Sequence, residues 1–155
     1  MDPINSYADY IQYFKIISEN LIGVNSFVLG NSERILSRQN SELDYDCLWL
    51  EIPDVQLVEA GSYKNVFMGA FLLLSNAPAD DWEAEDEDLN RLLPLTQQVI
   101  GKMIEDAEDG LFEFNPDELL IEWKGKLTGD NDWGWRVEFK LTTGACICVE
   151  PKFWK

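Results

Sequence analysis

No histidine occurs anywhere in the 155 residues. That absence excludes a Ser–His or Cys–His nucleophile pair, imidazole general-base chemistry and any zinc site built with histidine. Basic side chains are scarce: 12 Lys and Arg stand against 29 Asp and Glu, for a formal net charge of −17. Such a chain repels phosphate backbones and anionic lipid heads, so neither direct nucleic-acid binding nor membrane binding is expected. Neither GxxxxGK[ST] nor GxGxxG appears, which removes the common phosphate-cradling loops. The longest apolar run, residues 66–74 with Gly69 inside it, is far shorter than the ~20 residues of a membrane span. The start, Met-Asp-Pro-Ile-Asn-Ser, lacks the basic and apolar regions of a secretory signal, and no Asn-x-Ser/Thr sequon is present. Three cysteines make an odd count with no even disulfide framework. A reducing compartment fits, and the protein is expected to be cytosolic where it is made.

What the chain does contain is one ordinary domain's worth of core, with 46% hydrophobic and 12% aromatic residues. Its charge is unevenly placed. From 118 to 155 six basic side chains balance six acidic ones, so residues 1–117 carry all −17. Much of that sits in Asp80-Asp-Trp-Glu-Ala-Glu-Asp-Glu-Asp88 and in Glu105-Asp-Ala-Glu-Asp109. The plain reading is a solvated surface. The sharper one is a face that slides past nucleic acid or docks a basic partner.

Patterning then gives the elements. Tyr10, Phe14, Ile17 and Leu21 fall at helical spacing, with Ser6 as N-cap, Asp9 in the capping-box position and Gly23 as a stop. Residues 26–29 read as a short strand, and 31–37 as a turn of helix or an irregular connection. Cys47 to Ile52 is a strand stopped by Pro53, and 66–74 a central strand covered on both faces. The loop around residues 59–63 joins these two. A helical stripe from Leu89 to about Ala107 comes after the acidic run and stops at Gly110, with Pro94 either kinking this helix or marking its first turn. Residues 119–127 and 133–141 then form an antiparallel hairpin about the polar turn 128–132. Trp135, Val137, Phe139 and Leu141 share its buried face, and Arg136, Glu138 and Lys140 its wet one. A last strand is expected at 145–149, reached through a turn at 142–144. The fold class expected is α+β: an antiparallel sheet of about four to six strands with two main helices packed on one face, as a single domain over 1–155.

Several residues invite chemistry. Asp130-Asn-Asp132-Trp-Gly134 has the outline of a calcium loop, yet the twelfth position is Leu141 instead of Glu and the segment joins strands, so a polar turn is expected. Cys146 and Cys148 on a strand would face one way with Cys47 as a third ligand, but CxC is not the usual zinc spacing and buried apolar thiols are the default. No catalytic, cofactor-binding or metal-ligating residue is singled out, and no enzyme activity is expected. An enzyme using only carboxylates or cysteine stays as a third alternative. Trp82 within the acids is either packed down on the core, the favoured reading, or exposed as an interface anchor. Trp49 reads as core, Trp133 as either core or interface, and Trp154 as closing the core or reaching a neighbour. The candidate partner-binding set is Asp80, Asp81, Trp82, Glu83, Asp130, Asp132 and Trp133.

Phe27-Val-Leu-Gly-Asn-Ser-Glu-Arg34, Tyr45-Asp-Cys-Leu-Trp-Leu-Glu51, Leu74-Ser-Asn-Ala-Pro78 and Asp130-Asn-Asp-Trp-Gly-Trp135, together with the element order, resemble small tail-assembly proteins of phages and prophages, of the tail-terminator or minor-tail type. The resemblance implies a short sheet with helices on one side, a ring assembled on a tail tube by self-association or docking, no catalytic residues, and a place in the bacterial cytoplasm or the virion tail. A negative bore would suit the passage of DNA. The alternative from another class is an acidic immunity or inhibitor protein masking a basic partner, with fast, salt-sensitive association.

Overall fold

The computed structural model describes residues 2–31, 43–127 and 131–155. Helix α1 spans Tyr7–Asn20. Its Ser6 cap is extended, with φ −143° and ψ 167°, and accepts from the Asp9 N–H. The Asp9 carboxylate in turn accepts from Ser6 Oγ and from the Asn5 N–H. Those bonds, led by that of Ser6, hold the Asp9 carboxyl below its usual pKa. The expected stripe is buried at Tyr10, Phe14 and Ile17, joined by Tyr13.

Strands β1 (Ser26–Leu29) and β2 (Cys47–Leu50) come next, then β3 (Asp54–Glu59) and the long β4 (Tyr63–Asn76). Helix α2 covers Trp82–Glu108 and runs through Pro94, whose ring leaves the carbonyl of Asn90 without its helical donor. Gly110, at φ +83°, closes the helix as the stop expected there. Strand β5 (Glu113–Phe114), a short 3₁₀ turn at Pro116–Glu118, β6 (Leu120–Gly125) and β7 (Asp132–Gly144) complete the sheet.

The described residues form one seven-stranded sheet ordered β1-β2-β4-β7-β5, with β3 pairing β4 alongside β2 and β6 pairing β7 alongside β5. The α+β class is as expected, but the sheet is mixed and larger. β1 runs parallel to β2, Ser26 opposite Cys47, an arrangement that a tight hairpin turn cannot join. The expected antiparallel β6–β7 hairpin is present, with Trp123 opposite Trp135.

Two further expectations fail for plain reasons. The segment after Pro53 is not only a loop: 54–59 form β3, an edge strand whose side chains are almost all exposed, so alternation of burial gave it no signature. Residues 145–149 are not a strand. β7 continues straight through 142–144, pairing Gly144 with Lys64, and β4 has no residues left to pair with the chain beyond Ala145. Residues 32–37 of the connection after β1, and turn residues 128–130, lie outside the described residues.

Both helices pack on one face. Tyr10, Phe14, Phe71 and Phe139 form its centre, with Phe14 stacked on Phe139 at 5.2 Å between centroids and edge-on to Tyr13 at 5.1 Å. Gly69 makes room for this cluster, since a Cβ there would lie 2.3 Å from the Tyr10 hydroxyl. Tyr13 donates to Asp106 at 3.0 Å and Lys102 pairs with the same carboxylate at 2.9 Å, tying α1 to α2. A smaller cluster of Val28, Cys47, Trp49, Leu72 and Leu74 covers the opposite face beneath Leu43, Tyr45 and Leu127. The 66–74 run is thus buried on both sides, as its continuous apolar pattern implied.

Candidate functional site

Two strands of unequal chemistry set the poles of the molecule. β4 and β7 run antiparallel over their full lengths, from Lys64 opposite Gly144 at one end to Asn76 opposite Asp132 at the other. At the second end the Asn131 amide donates to the Ala77 carbonyl at 3.0 Å, bringing the β6–β7 turn against the chain that leads into α2. The acidic run begins there.

Seven of the nine side chains from 80 to 88 are carboxylates. Asp80 adopts φ +63° and turns the chain, and Asp81 is the N-cap of α2, accepting from the Ala84 N–H at 3.1 Å. The rest of the run forms the first two turns of the helix. Carboxylates there meet unpaired N–H groups and the positive end of the helix dipole, so the local fold tolerates the charge. Asp88 pairs with Arg91 at 2.8 Å, and Arg91 reaches on to Asp46 and to the Ser75 hydroxyl. These bonds, that of Asp46 foremost, push the Arg91 pKa further up and fix its charge. Asp80, Glu83, Glu85, Asp86 and Glu87 form no ion pair with any described residue.

Trp82 is 76% exposed at the first position of the helix. The favoured core reading is therefore overturned: the indole has no core beneath it, because the buried stripe of α2 begins only at Leu92. Trp133 is the reverse case, 3% exposed inside the fold. Asp132 is fully buried, accepts from the Leu127 N–H at 2.9 Å and receives the Tyr45 hydroxyl at 3.3 Å. Asp132 ties the two arms of the hairpin, Trp133 is buried within it, and neither is a surface anchor. Asp130 lies outside the described residues. Of the residues singled out, Asp80, Asp81, Trp82 and Glu83 form the exposed group, with Asp132 and Trp133 buried behind the same pole.

The cysteines divide as well. Cys47 is buried, and burial, reinforced by the nearby Asp132, Asp46 and Asp44, pushes its thiol pKa up to about 12. Cys146 and Cys148 are exposed with their sulfurs 3.1 Å apart. Cys47 is a core residue and does not join them as a ligand, and no group of three or more Cys, Asp or Glu among the described residues is placed to hold a metal. In the folded protein two thiols are expected to react with Ellman's reagent at pH 8 and the third only after denaturation. Three fast thiols would contradict this burial of Cys47.

An open cleft of about 570 Å³ lies on the face opposite the helices, between Trp49, Leu72 and Leu127 on one side and Arg136 and Lys124 on the other. Its cations are already paired: Lys124 meets Glu122 at 3.3 Å, while Arg136 grips Glu51 through two bonds of 2.8 and 3.0 Å and also meets Glu138 at 2.9 Å. Such a fork-to-fork pair braces β2 against β7 more than it offers a free cation. No helix among the described residues is long and apolar enough to cross a membrane. A scan of protein-family models, a search of curated proteins and a search of solved structures return no match.

Proposed function

We propose that the protein is a non-enzymatic assembly component of a phage-like tail, of the tail-terminator or minor-tail type, that works through protein–protein contacts made at its acidic pole. One observation carries the reading: Trp82 stands 76% exposed beside Asp80, Glu83, Glu85 and Asp86, which form no ion pair with any described residue. Exposed tryptophans are costly to solvate and are enriched at the centres of protein interfaces, where a rim of charge sets the partner and the approach rate. The resemblance of the four sequence segments to tail-assembly proteins supplies the biological setting. The acidic balance of residues 1–117 supports a surface that lets DNA pass without binding it. On this reading the protein is made in the bacterial cytoplasm and ends in the virion tail.

Sedimentation and negative-stain imaging of the protein mixed with the products of its neighbouring genes test this. Co-assembly into rings or tube ends is the expected result. A strict monomer that binds none of them overturns it.

The same pole favours a second reading, an acidic immunity or inhibitor protein that masks a basic toxin or nuclease. Gene context separates the two: tail genes alongside support the first, and a toxin gene next door supports the second.

A further inference from the structure

The two exposed thiols lie at the other end of the sheet from the acidic pole. The β4–β7 ladder ends with Gly144 opposite Lys64, and one further backbone bond joins the Ala145 N–H to the Tyr63 carbonyl at 2.9 Å. β4 begins at Tyr63, so no described strand flanks residues 146–148. Side chains two apart on an extended chain project to the same side. Cys146 Sγ lies 3.1 Å from Cys148 Sγ, one thiol donating to the other, and both residues are exposed. A disulfide needs Cα atoms about 4.4–6.8 Å apart, and a strand holds residues i and i+2 at the far edge of that range, ~6.6 Å. A ladder through 146–148 would fix them there. Without one, the backbone around Ile147 is free to tighten and bring the sulfurs together.

We propose that Cys146 and Cys148 form a dithiol–disulfide couple, a modification site that a low-molecular-weight disulfide of the glutathione class closes into an intrachain bond. One thiol gives its proton to water, and the thiolate attacks a sulfur of the reagent. The reagent's S–S bond breaks, one glutathione thiolate leaves, and a mixed protein–glutathione disulfide remains. The second thiol, deprotonated in turn, attacks the protein sulfur of that bond. The Cys146–Cys148 bond forms as the second glutathione thiolate leaves. The protein is oxidised by two electrons, and the reagent is reduced to two glutathione molecules that take up the two protons. Excess reduced glutathione runs both steps backwards, because exposed and strained disulfides are the readily reduced ones. The bond with Cys148 foremost, and the charge of Glu150 to a smaller degree, hold the Cys146 thiol above its usual pKa, so exchange quickens as pH rises. Cys47 takes no part. It is buried opposite Leu74, about 36 Å along β4 from Tyr63 at strand rise. Closure sets the exposed Ile147 at the tip of a tight turn, so the redox state fixes the direction in which the chain leaves β7. The couple stands whether or not the acidic pole docks a partner.

The test equilibrates the full chain, natively folded, in glutathione buffers of rising disulfide fraction, then quenches it in acid, alkylates it in denaturant and weighs it. The expected product is a monomer lighter by two hydrogens, with Cys47 alkylated and Cys146 linked to Cys148 in one peptide. Added reduced glutathione should return it to the dithiol. Cys146→Ser and Cys148→Ser should each stop at a mixed disulfide with one glutathione and form no ring. Both positions are exposed, so urea midpoints equal to wild type will show that the variants are folded. The oxidised wild type should also keep the reduced protein's midpoint, because the ring lies outside the ladder. A wild type that stops at glutathione adducts, links to a second chain, bonds through Cys47 or keeps all three thiols free across the series overturns the inference. So does an oxidised form whose midpoint falls clearly below that of the reduced one, since closure would then pull on the end of β7.

Discussion

Gly134→Ala is expected to cost about 3 kcal/mol or more, and to lower the urea midpoint while the m-value stays the same. Gly134 lies on β7 opposite Leu74 of β4 and Lys124 of β6, at the centre of a three-strand crossing. A Cβ built there falls 1.7 Å from the Leu73 carbonyl oxygen and 2.8 Å from its carbon. The obstructing atoms are backbone, so no rotamer change relieves the clash, and β4 and β7 have to separate. That pair is the spine of the sheet, with 13 residues in register. Gly101→Ala is the control. Gly101 lies inside α2 with nothing within 4 Å of the new methyl, so a gain of about 1 kcal/mol is expected from helix propensity. A Gly134→Ala protein within about 1 kcal/mol of wild type, the scale of an ordinary substitution, would show that the two strands are not packed as described.

Phe14→Ala is expected to remove about 3–5 kcal/mol. The ring is fully buried and meets Tyr10 at 5.4 Å, Phe71 at 5.9 Å and Phe139 at 5.2 Å between centroids. Its neighbours are rigid aromatics held on three elements, so the site cannot collapse far and the cavity term should be near its upper range. For a domain of this length each kcal/mol is worth roughly 2–4 °C in melting temperature, so thermal unfolding should show a drop on the order of 10 °C. Loss of only a degree or two would place α1 off the sheet.

The features that were legible in the sequence are those that local pattern controls. Ser6 with Asp9, the Tyr10–Phe14–Ile17 stripe, Gly110 and the alternation from Trp135 to Leu141 each arise from the period of one element against one core. The two-sided burial of 66–74 was legible because a strand covered on both faces leaves no polar parity. What failed depended on partners distant in sequence. The parallel pairing of β1 with β2 joins residues 21 apart, Ser26 with Cys47, which no short-range pattern encodes. β3 bears Val55 and Leu57, each about half exposed, on an edge beside β4, so it shows no buried parity. Residues 145–149 have the composition of a strand and lack only a neighbour. At the candidate site, the exposure of Trp82 reverses what hydrophobicity alone favours, while Trp133 is buried. The buried stripe of α2 starts at Leu92, well past Trp82, whereas β7 places Trp133 in register with Ser75. The Asp46–Arg91 contact, joining residues from β2's approach and α2, had no sequence signal at all.

The claim on which the functional reading depends is that Trp82 serves a partner and not the core. Trp82→Ala settles it when unfolding and binding are measured on the same sample, by urea titration and by co-sedimentation with the products of its neighbouring genes. The account predicts a stability within about 0.5 kcal/mol of wild type, the usual range for surface changes, together with loss of the co-sedimenting complex. A drop of several kcal/mol, or a variant that still binds its partners as wild type does, would contradict it.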